Sequence, residues 1–410
     1  MLMRMAWRNL WRNRRRTLIT LLAIAFGFLL SVSFTVFSDG SYGQMIDAAA
    51  RMGSGNLTLQ PIGYQAKPEA GKVIVDTPAL IREVRRQAHV RFASERVISQ
   101  GMAGTAVDTS GAGILGIDPA AEGRRLFILD HVVQGSSLAS ASGSQALVGS
   151  LMAKQLELKI GKKLVVTTAD RNGNVVSGLL KVCGVFTTGV DEVDRSVILV
   201  PIGYLRSLVG YAPSESTQVA VFLDSALNTD EVCSRLSSAA KAHGAEALSW
   251  QAMMPDLAGL ITLDKTGNYF FQTFVFLLIM AGILDTVLMG VMERLREFGV
   301  MLALGMTPAR IWSLIMLETF WLGVVGLLVG ALVSVPVYWY LHSVGVDLSP
   351  LMHEKPVAGG VVMDLFVRAR FQPRHIVNIF TGVFALILAA GLYPAFLAAR
   401  TKPVEAMKII

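Results

Sequence analysis

The run Met292-Glu293-Arg294-Leu295-Arg296-Glu297-Phe298-Gly299-Val300-Met301-Leu302-Ala303-Leu304-Gly305-Met306-Thr307-Pro308 lies between two apolar runs, residues 269–291 and 311–340. Each apolar run is long enough to cross a hydrocarbon core of about 30 Å as a helix. Four of the five residues from Glu293 to Glu297 are charged, which is too costly for burial in mid-bilayer. The apolar stretch bracketed by Gly299 and Gly305 is too short to span a membrane. The run is therefore predicted to be a loop at one membrane face, with Thr307-Pro308 starting the next helix.

The apolar side chains of this loop have to be shielded from water. A short helix held outside the membrane by charges would expose Val300, Met301 and Leu304 unless a partner packs on them. An alternative explanation is a membrane helix that overruns and folds back onto its own lipid interface. The residues alone leave both explanations open.

The composition of the chain indicates an integral membrane protein with a sizeable soluble part. The 410 residues are 53% hydrophobic and 16% charged, and the mean hydropathy is +0.52. These values are too apolar for an ordinary soluble protein. The net charge of +7 arises largely at the N-terminus and beside apolar runs. Topology and anionic lipid explain that placement better than nucleic acid, so no nucleic-acid partner is expected.

The hydropathy pattern predicts four membrane-spanning helices and two outside regions. The predicted segments, in chain order, are a basic interfacial helix 1–16, a span 17–37, an outside domain 38–268, a span 269–291, the loop 292–310, a span 311–340, a short outside loop 341–375, a span 376–399 and a tail 400–410. Small-x-x-x-small faces for close helix packing are predicted at Ala23 with Gly27 and at Gly326 with Gly330.

Residues 38–268 change to short β-rich runs with turn residues, interrupted by amphipathic helices, which is typical of a folded α+β domain. Asp170-Arg171-Asn172-Gly173-Asn174 predicts a tight hairpin turn. The stretch Gly111-Ala112-Gly113-Ile114-Leu115-Gly116 matches G-x-G-x-x-G. A dinucleotide site needs a helix to open after that motif, and none is predicted at this point, so we expect a glycine-rich turn.

The distribution of lysine and arginine predicts the orientation. The first sixteen residues carry six arginines. The same side gains Arg294, Arg296, Arg310, Arg400, Lys402 and Lys408, whereas the short outside loop offers Lys355, Arg368, Arg370 and Arg374. Both termini and the loop 292–310 are therefore expected inside the cell, and the large domain outside.

Motifs for catalysis, nucleotide binding or metal binding are absent from the sequence. It contains no G-x-x-x-x-G-K-[ST] loop and no G-x-S-x-G elbow. His353-Glu354-Lys355-Pro356-Val357 starts like H-E-x-x-H, but valine takes the second histidine position and Pro356 would break the helix. We therefore expect neither an enzyme nor a metal site. Cys183 and Cys233 could form one disulfide or remain two packed thiols.

Two acidic residues, Asp285 and Glu318, fall inside predicted spans, where a charge by default suggests function. Both lie near the predicted inner end of their helices. A structural or coupling role and a substrate or proton path remain the alternatives for them.

The sequence M-E-R-L-R-E-F-G-V-M-L-A-L-G-M resembles the coupling segment of ABC transporter permeases of the MacB/FtsX/Lol type. The opening A-W-R-N-L-W-R-N-R-R-R-T and the ending P-A…A-A-R…P-x-E-A resemble the same family, and so do Gly116-Ile117-Asp118-Pro119, residues 145–150 and residues 182–186. The resemblance implies a MacB-like periplasmic core domain of two subdomains, the second inserted at about residues 110–215. It also implies an FtsX-like permease domain at about 270–404. Related permeases often carry asparagine where Asp285 stands, which leaves its role open.

In that family the coupling helix docks into a cytoplasmic ATPase subunit, so ATP and Mg would be bound by that partner and no cofactor by this chain. The residues implied in docking are Glu293, Arg294, Arg296, Glu297, Phe298, Gly299, Val300, Met301, Leu304 and Gly305. The resemblance further implies a bacterial inner-membrane location and a second permease copy or paralogue, with two permease and two ATPase subunits per complex.

The Lol branch suggests release of lipoproteins from the inner membrane as the leading function. Efflux of drugs or peptides, as in MacB, and FtsX-like control of a cell-wall hydrolase are the alternatives. A periplasmic chaperone or adaptor is a further expected partner. However, the Lol subunit that recruits a chaperone carries a long proline-containing hook, and the tight turn at residues 170–174 stands in its place in this chain.

Overall fold

A computed structural model describes residues 2–139, 143–351 and 356–400. The chain divides into two compact units. The helical unit comprises Met1–Ser41, Leu263–Asp347 and Phe366–Ile410, and the sheet unit comprises Tyr42–Thr262 and Leu348–Leu365. The predicted features at His353–Lys355 and the predicted tail beyond Arg400 lie outside the described residues.

The helices occur along the described chain in the following order. They are α1 (Leu2–Leu10), α2 (Arg14–Ala49), α3 (Thr77–Val84), α4 (Pro119–Glu122), α5 (Phe127–Asp130), α6 (Ser150–Gln155), α7 (Asp191–Ser196), α8 (Ile202–Val209), α9 (Thr229–Ala242), α10 (Trp250–Met253), α11 (Pro255–Glu293), α12 (Leu295–Ala303), α13 (Pro308–Ser343) and α14 (Pro373–Ala399). A π-helical turn, Ala50–Ser54, follows α2 directly.

The strands are numbered in the same way. They are β1 (Leu57–Pro61), β2 (Val90–Gly104), β3 (Thr109–Ile117), β4 (Val132–Gly135), β5 (Gln145–Gly149), β6 (Lys163–Ala169), β7 (Val175–Phe186), β8 (Val197–Pro201), β9 (Gln218–Leu223), β10 (Ala245–Ser249), β11 (Val346–Asp347), β12 (Val357–Ala358), β13 (Val361–Val362) and β14 (Phe366–Val367).

Among the residues that the structure describes, four helices are long and apolar enough to cross a membrane, which confirms the predicted fold class. These candidate spans are Arg14–Ser54, Pro255–Glu293, Pro308–Ser343 and Pro373–Ala399. Each is longer than the segment predicted from hydropathy, because polar residues continue the helix past the apolar run.

The core of the helical unit forms where α2, α11, α13 and α14 meet. Its buried side chains include Ile24, Phe28, Ile279, Leu327 and Ile387. Burying aliphatic and aromatic side chains between helices gives the close packing that holds membrane bundles together. Many other apolar side chains of the same helices stay exposed, as expected for helices surrounded by lipid.

The sheet unit contains a ten-stranded sheet with the strand order β10-β1-β9-β2-β3-β8-β5-β7-β4, in which β6 pairs with β2 and β7, and a two-stranded sheet of β12 and β13. Strand β2 is shared by its two halves. Up to Arg96 it pairs with β9, and from Val97 it pairs with β3. The chain returns at Thr217, whose backbone N–H donates to the Arg96 carbonyl at 3.2 Å. Residues 97–217 lie between these two points and are called the inserted part below, and the insertion predicted at about residues 110–215 falls within them.

The glycine-rich stretch at residues 111–116 lies inside β3, so the predicted turn is wrong. Glycines are typical of loops in a sequence, yet in this strand one of them, Gly116, permits close packing. A Cβ on Gly116 would approach the Leu205 side chain to 3.1 Å.

By contrast, the hairpin turn predicted at Asp170–Asn174 is confirmed. The Asp170 carboxylate accepts from the backbone N–H groups of Asn172 and Asn174, both at 2.8 Å.

The two cysteines are free and lie in different parts of the sheet unit. The Cys183 thiol donates to the Ala146 carbonyl at 3.3 Å and the Cys233 thiol to the Ala247 carbonyl at 3.4 Å. Burial is the main cause that raises the pKa of both thiols above its ordinary value. The thiolate is the nucleophile, so a raised pKa leaves less reactive sulfur at neutral pH.

We therefore expect iodoacetamide to modify Cys183 and Cys233 at neutral pH roughly tenfold more slowly than in the unfolded chain. The rate should rise as the pH is raised, because deprotonation then becomes more complete. Mass spectrometry of timed samples measures both rates. A cysteine placed at the exposed position Ser238 is the matched control and should react at the unfolded rate. Equal rates at all three positions would contradict this expectation.

Candidate functional site

The segment between α11 and α13, residues 292–310 and named the interhelix segment below, folds as a short helix with sharp ends. Helix α12 starts after Arg294 and ends at Ala303. Gly305 then adopts a φ of +94°, a left-handed conformation that glycine takes without strain. The backbone N–H of Met306 donates to the Met301 carbonyl at 2.9 Å and closes the helix end. Thr307 caps α13, with Pro308 in its first turn.

Gly299 lies inside α12 and is buried, so it does not bracket an apolar stretch as the sequence suggested. Arg296 and Glu297 before it are part of α12 as well, whereas Arg294 lies in the turn between α11 and α12. Phe298 is fully buried and belongs to a cluster with side chains of α1, α13 and α14. Its role within this chain is therefore packing, although the sequence placed it on the docking surface. The buried partners of Phe298 are Ala6, Val291, Ile311, Leu314, Ile315, Ala395 and Ala398.

The opposite side of α12 presents apolar side chains to the outside. Leu304 is 83% exposed and Val300 is 44% exposed. Met301 is only half-buried and packs against the Phe298 cluster. The exposed apolar surface of the interhelix segment thus centres on Val300 and Leu304, and Met301 contributes less than the sequence suggested.

Ion pairs join the interhelix segment to the start of the chain. Arg16 and Glu293 lie 2.6 Å apart, and Arg12 and Glu297 lie 2.8 Å apart. Both pairs involve residues that the sequence assigned to docking. Such pairs at a partly exposed surface add little stability each. The Arg12–Glu297 pair holds α12, and the Arg16–Glu293 pair holds the end of α11, beside the N-terminal residues.

Glu318, one of the two acidic residues predicted inside spans, lies at the centre of this network. Arg294 donates to both carboxylate oxygens of Glu318 at 3.2 Å, and Asn9 donates to Glu318 at 2.6 Å. Arg294 also lies 3.4 Å from Glu297. Glu318 is therefore satisfied by partners within the helical unit and acts as a structural tie between α1, α13 and the interhelix segment. A cleft of about 200 Å³ lies among these groups.

Asp285 differs from Glu318. It is exposed on α11, and among the described residues it has no hydrogen-bond or ion-pair partner. Arg296 is likewise exposed and unpaired in the part of the chain that the structure describes. The position of Asp285 assigns it no role, so the alternatives raised by the sequence remain open.

Three of the four small residues predicted to pack between helices do so. A Cβ on Gly326 would lie 2.8 Å from the Ile24 side chain, and one on Gly330 would lie 3.1 Å from the Ala25 backbone. Gly27 faces the Ile279 side chain just as closely. Ala23 is exposed. It lies on the edge of α2 next to other exposed side chains, so it does not extend the packed face.

We expect Gly326→Ala to lower the melting temperature of the detergent-solubilised protein. The added methyl group meets the Ile24 Cβ, which cannot rotate away, and such overpacking typically costs about 1–3 kcal/mol. Gly282→Ala is the matched control, because its Cβ would meet no atom within 4 Å in the described part of the chain outside its own stretch of helix. Scanning fluorimetry should show an unchanged or higher melting temperature for the control. A Gly326→Ala protein as stable as the control would contradict the observed packing.

Sequence reasoning missed that the first sixteen residues are the ion-pair partners of the interhelix segment. It assigned the arginines to lipid and topology. The available signal was the balance of charge, since the acidic residues 293, 297 and 318 are predicted at the same membrane face as Arg12 and Arg16.

Two family descriptions match the chain. MacB-like periplasmic core domain covers residues 17–239, and FtsX-like permease C-terminal covers residues 269–403. The chain therefore belongs to the ABC transporter permeases that combine these two domains.

The names of individual relatives within this family state different functions. The lipoprotein-releasing system transmembrane protein LolC of Neisseria meningitidis serogroup B is 22% identical, over 97% of this chain and 95% of the relative. The macrolide export ATP-binding/permease protein MacB of Hyphomonas neptunium is also 22% identical, over 98% of this chain and 60% of the relative. The crystal structure of the periplasmic region of MacB from Actinobacillus actinomycetemcomitans matches 49% of this chain and 92% of that chain, with 13% identity and a TM-score of 0.35.

Proposed function

We propose that this permease is the membrane subunit of an ATP-driven complex that releases lipoproteins from the bacterial inner membrane for transfer to the outer membrane. The observation that carries the proposal is the exposed apolar surface at Val300 and Leu304 on a helix fixed by ion pairs. A surface that is apolar, exposed and rigid is suited to a protein partner. The LolC relative, matched over nearly its whole length, supports lipoproteins as the cargo.

The partner at this surface is an ATP-binding subunit in the cytoplasm. The chain carries no phosphate-binding loop. The arginine-rich first sixteen residues and the basic residues of the interhelix segment support an orientation in which this end of the helical unit faces the inside of the cell. ATP and Mg are then held by the partner, and this chain supplies the element on which the partner pushes.

The working complex contains two permease chains, identical or paralogous, because four helices are too few to enclose a conduit. ATP binding closes the ATPase pair and moves the two interhelix segments together. Helices α2 and α11 each contain residues of the helical unit and of the sheet unit, so they are the covalent route by which movement reaches the outside domain.

A second candidate function is efflux of drugs or peptides. The MacB relative favours it, since the identity equals that of LolC over a similar share of this chain. Control of a cell-wall hydrolase, as in FtsX, is a third. Direct recruitment of a periplasmic chaperone finds no support, because a tight turn occupies residues 170–174.

A mild-detergent purification of the tagged chain, followed by mass spectrometry, tests the proposal. We expect an ATP-binding subunit, one or two permease species and lipoproteins. An ATP-binding subunit with an efflux adaptor or a hydrolase in place of lipoproteins would contradict the cargo. A permease dimer without any ATP-binding subunit would contradict the role of the interhelix segment.

A further inference from the structure

A fully buried ion pair lies where strand β2 changes partners. The side chains of Arg96 and Glu122 are each 0% exposed. Arg96 Nε donates to one Glu122 oxygen at 2.6 Å, and Arg96 Nη2 donates to the other at 2.9 Å. The remaining nitrogen, Nη1, donates to the backbone carbonyl of Gly53. One guanidinium group thus uses all three of its nitrogens.

The three groups come from three different parts of the sheet unit. Arg96 is the last residue of β2 that pairs with β9. Glu122 ends α4 and belongs to the inserted part, residues 97–217. Gly53 belongs to the π-helical turn Ala50–Ser54, which follows α2 directly. The guanidinium therefore connects the end of a membrane helix, the shared strand and the inserted part.

Two further contacts also join the inserted part to the π-helical turn and to the first half of β2. Arg51 of the π-helical turn lies 2.8 Å from Asp130 of the inserted part. The Arg125 guanidinium, also of the inserted part, lies 4.1 Å from the centre of the Phe92 ring on the first half of β2. These contacts join the same parts of the chain as the Arg96–Glu122 pair.

An apolar cluster would hold these parts together at lower cost, because burying two charges requires their removal from water. Apolar contacts, however, are non-directional and allow surfaces to slide. A guanidinium binds a carboxylate through two parallel bonds in one plane, so it permits one relative arrangement. What a buried pair of this kind adds is a fixed geometry.

We propose that Arg96 and Glu122 are positioning residues that hold the π-helical turn, β2 and the inserted part as one rigid body. A displacement of the turn then carries the inserted part with it. The connection that Arg96 and Glu122 make between these three parts is called the joint below. The use of this joint in lipoprotein release rests on the proposed function. The rigidity of the joint does not, and it can be measured on the chain alone.

The test measures a distance across the joint by double electron–electron resonance in the full-length protein. Spin labels are placed at the exposed positions Asn172, in the inserted part, and Ser238, on α9, after Cys183 and Cys233 are replaced by alanine. The variant is Arg96→Met with Glu122→Leu, which removes both charges and roughly keeps the volume. Its matched control is Arg235→Met with Glu231→Leu, which removes an exposed ion pair on α9.

We expect the Arg96→Met/Glu122→Leu protein to fold, with an unchanged or higher melting temperature, and to show a distance distribution about twofold broader than the parent. The control should keep the parent distribution. Arg96→Lys keeps the charge but loses the planar fork, so it should also broaden the distance distribution. This variant replaces the double variant in the test if the double variant does not fold. Distributions as narrow as the parent in both variants would overturn the proposal.

The same variants separate this inference from the proposed function. In the reconstituted complex, the double variant should keep the ATPase rate of the parent and lose most lipoprotein release. If the parent complex releases no lipoprotein, the proposed function fails while the distance result stands. If release and a narrow distribution both survive in the double variant, the joint has no positioning role.

Discussion

Leu304→Asp is expected to abolish co-purification of the ATP-binding subunit while leaving the permease folded and inserted. Leu304 is 83% exposed, so an aspartate there meets water in the free chain and disturbs no core. In the complex it would place a charge in the centre of an apolar contact. Changes at such central positions typically cost about 2–4 kcal/mol, which corresponds to roughly 30- to 1,000-fold in affinity. Val300→Asp should act in the same direction.

Leu227→Asp is the matched control for this prediction. Leu227 is 63% exposed on the sheet unit, so the same chemical change is made at a comparable exposure but far along the chain from the interhelix segment. The control should retain the ATP-binding subunit. Quantitative pull-down with fluorescence-detected size exclusion measures association and folding together. If the Leu304→Asp protein retains as much ATP-binding subunit as the Leu227→Asp control, the result would contradict a docking role for this surface.

Glu122→Gln and Arg96→Met are each expected to destabilise the sheet unit strongly. Either change leaves the other partner as a buried charge without its counterion, which typically costs about 3–5 kcal/mol. Both side chains are 0% exposed, so water cannot replace the missing group. Denaturant titration followed by tryptophan fluorescence would show the loss as a lower midpoint.

The double variant Arg96→Met/Glu122→Leu provides the comparison, since it removes both charges and should recover most of the lost stability. Single variants that unfold at the parent midpoint would mean that water reaches the pair. A double variant as unstable as the single variants would mean that the hydrogen bond to Gly53, rather than the ion pair, dominates.

Local signals in the sequence were sufficient for several parts of the fold. The length of the apolar runs gave the four spans, and Gly305 with Thr307-Pro308 gave the end of α12 and the start of α13. The Asp170–Asn174 turn followed from its own side chains. Each of these features depends on residues that lie near one another in the chain.

Features that depend on distant residues were missed or misplaced. The glycine-rich strand β3 forms because β2 and β8 flank it and Leu205 packs on Gly116, none of which is visible in a short window. The change of strand partners after Arg96 has no local signal either, because β2 runs without interruption through both halves of the sheet.

In the candidate site, too, local features were predicted from the sequence and features that depend on distant residues were missed. Its position and its exposed apolar surface followed from the interhelix sequence. That Phe298 is a core residue depends on packing by four other helices, α1, α11, α13 and α14. The pairing of Arg12 with Glu297 joins residues 285 positions apart, and Arg96 with Glu122 became a functional candidate only when Gly53 was seen beside them.

The most direct test of the account is ATP-dependent release of lipoproteins from proteoliposomes that contain this permease, its co-purified ATP-binding subunit and any second permease. We predict that triacylated lipoproteins leave the vesicles when ATP is added and stay when ATP is withheld. They should also stay when the permease carries Leu304→Asp. Sustained ATP hydrolysis with the lipoproteins retained in the vesicles would contradict lipoprotein release as the function of this protein.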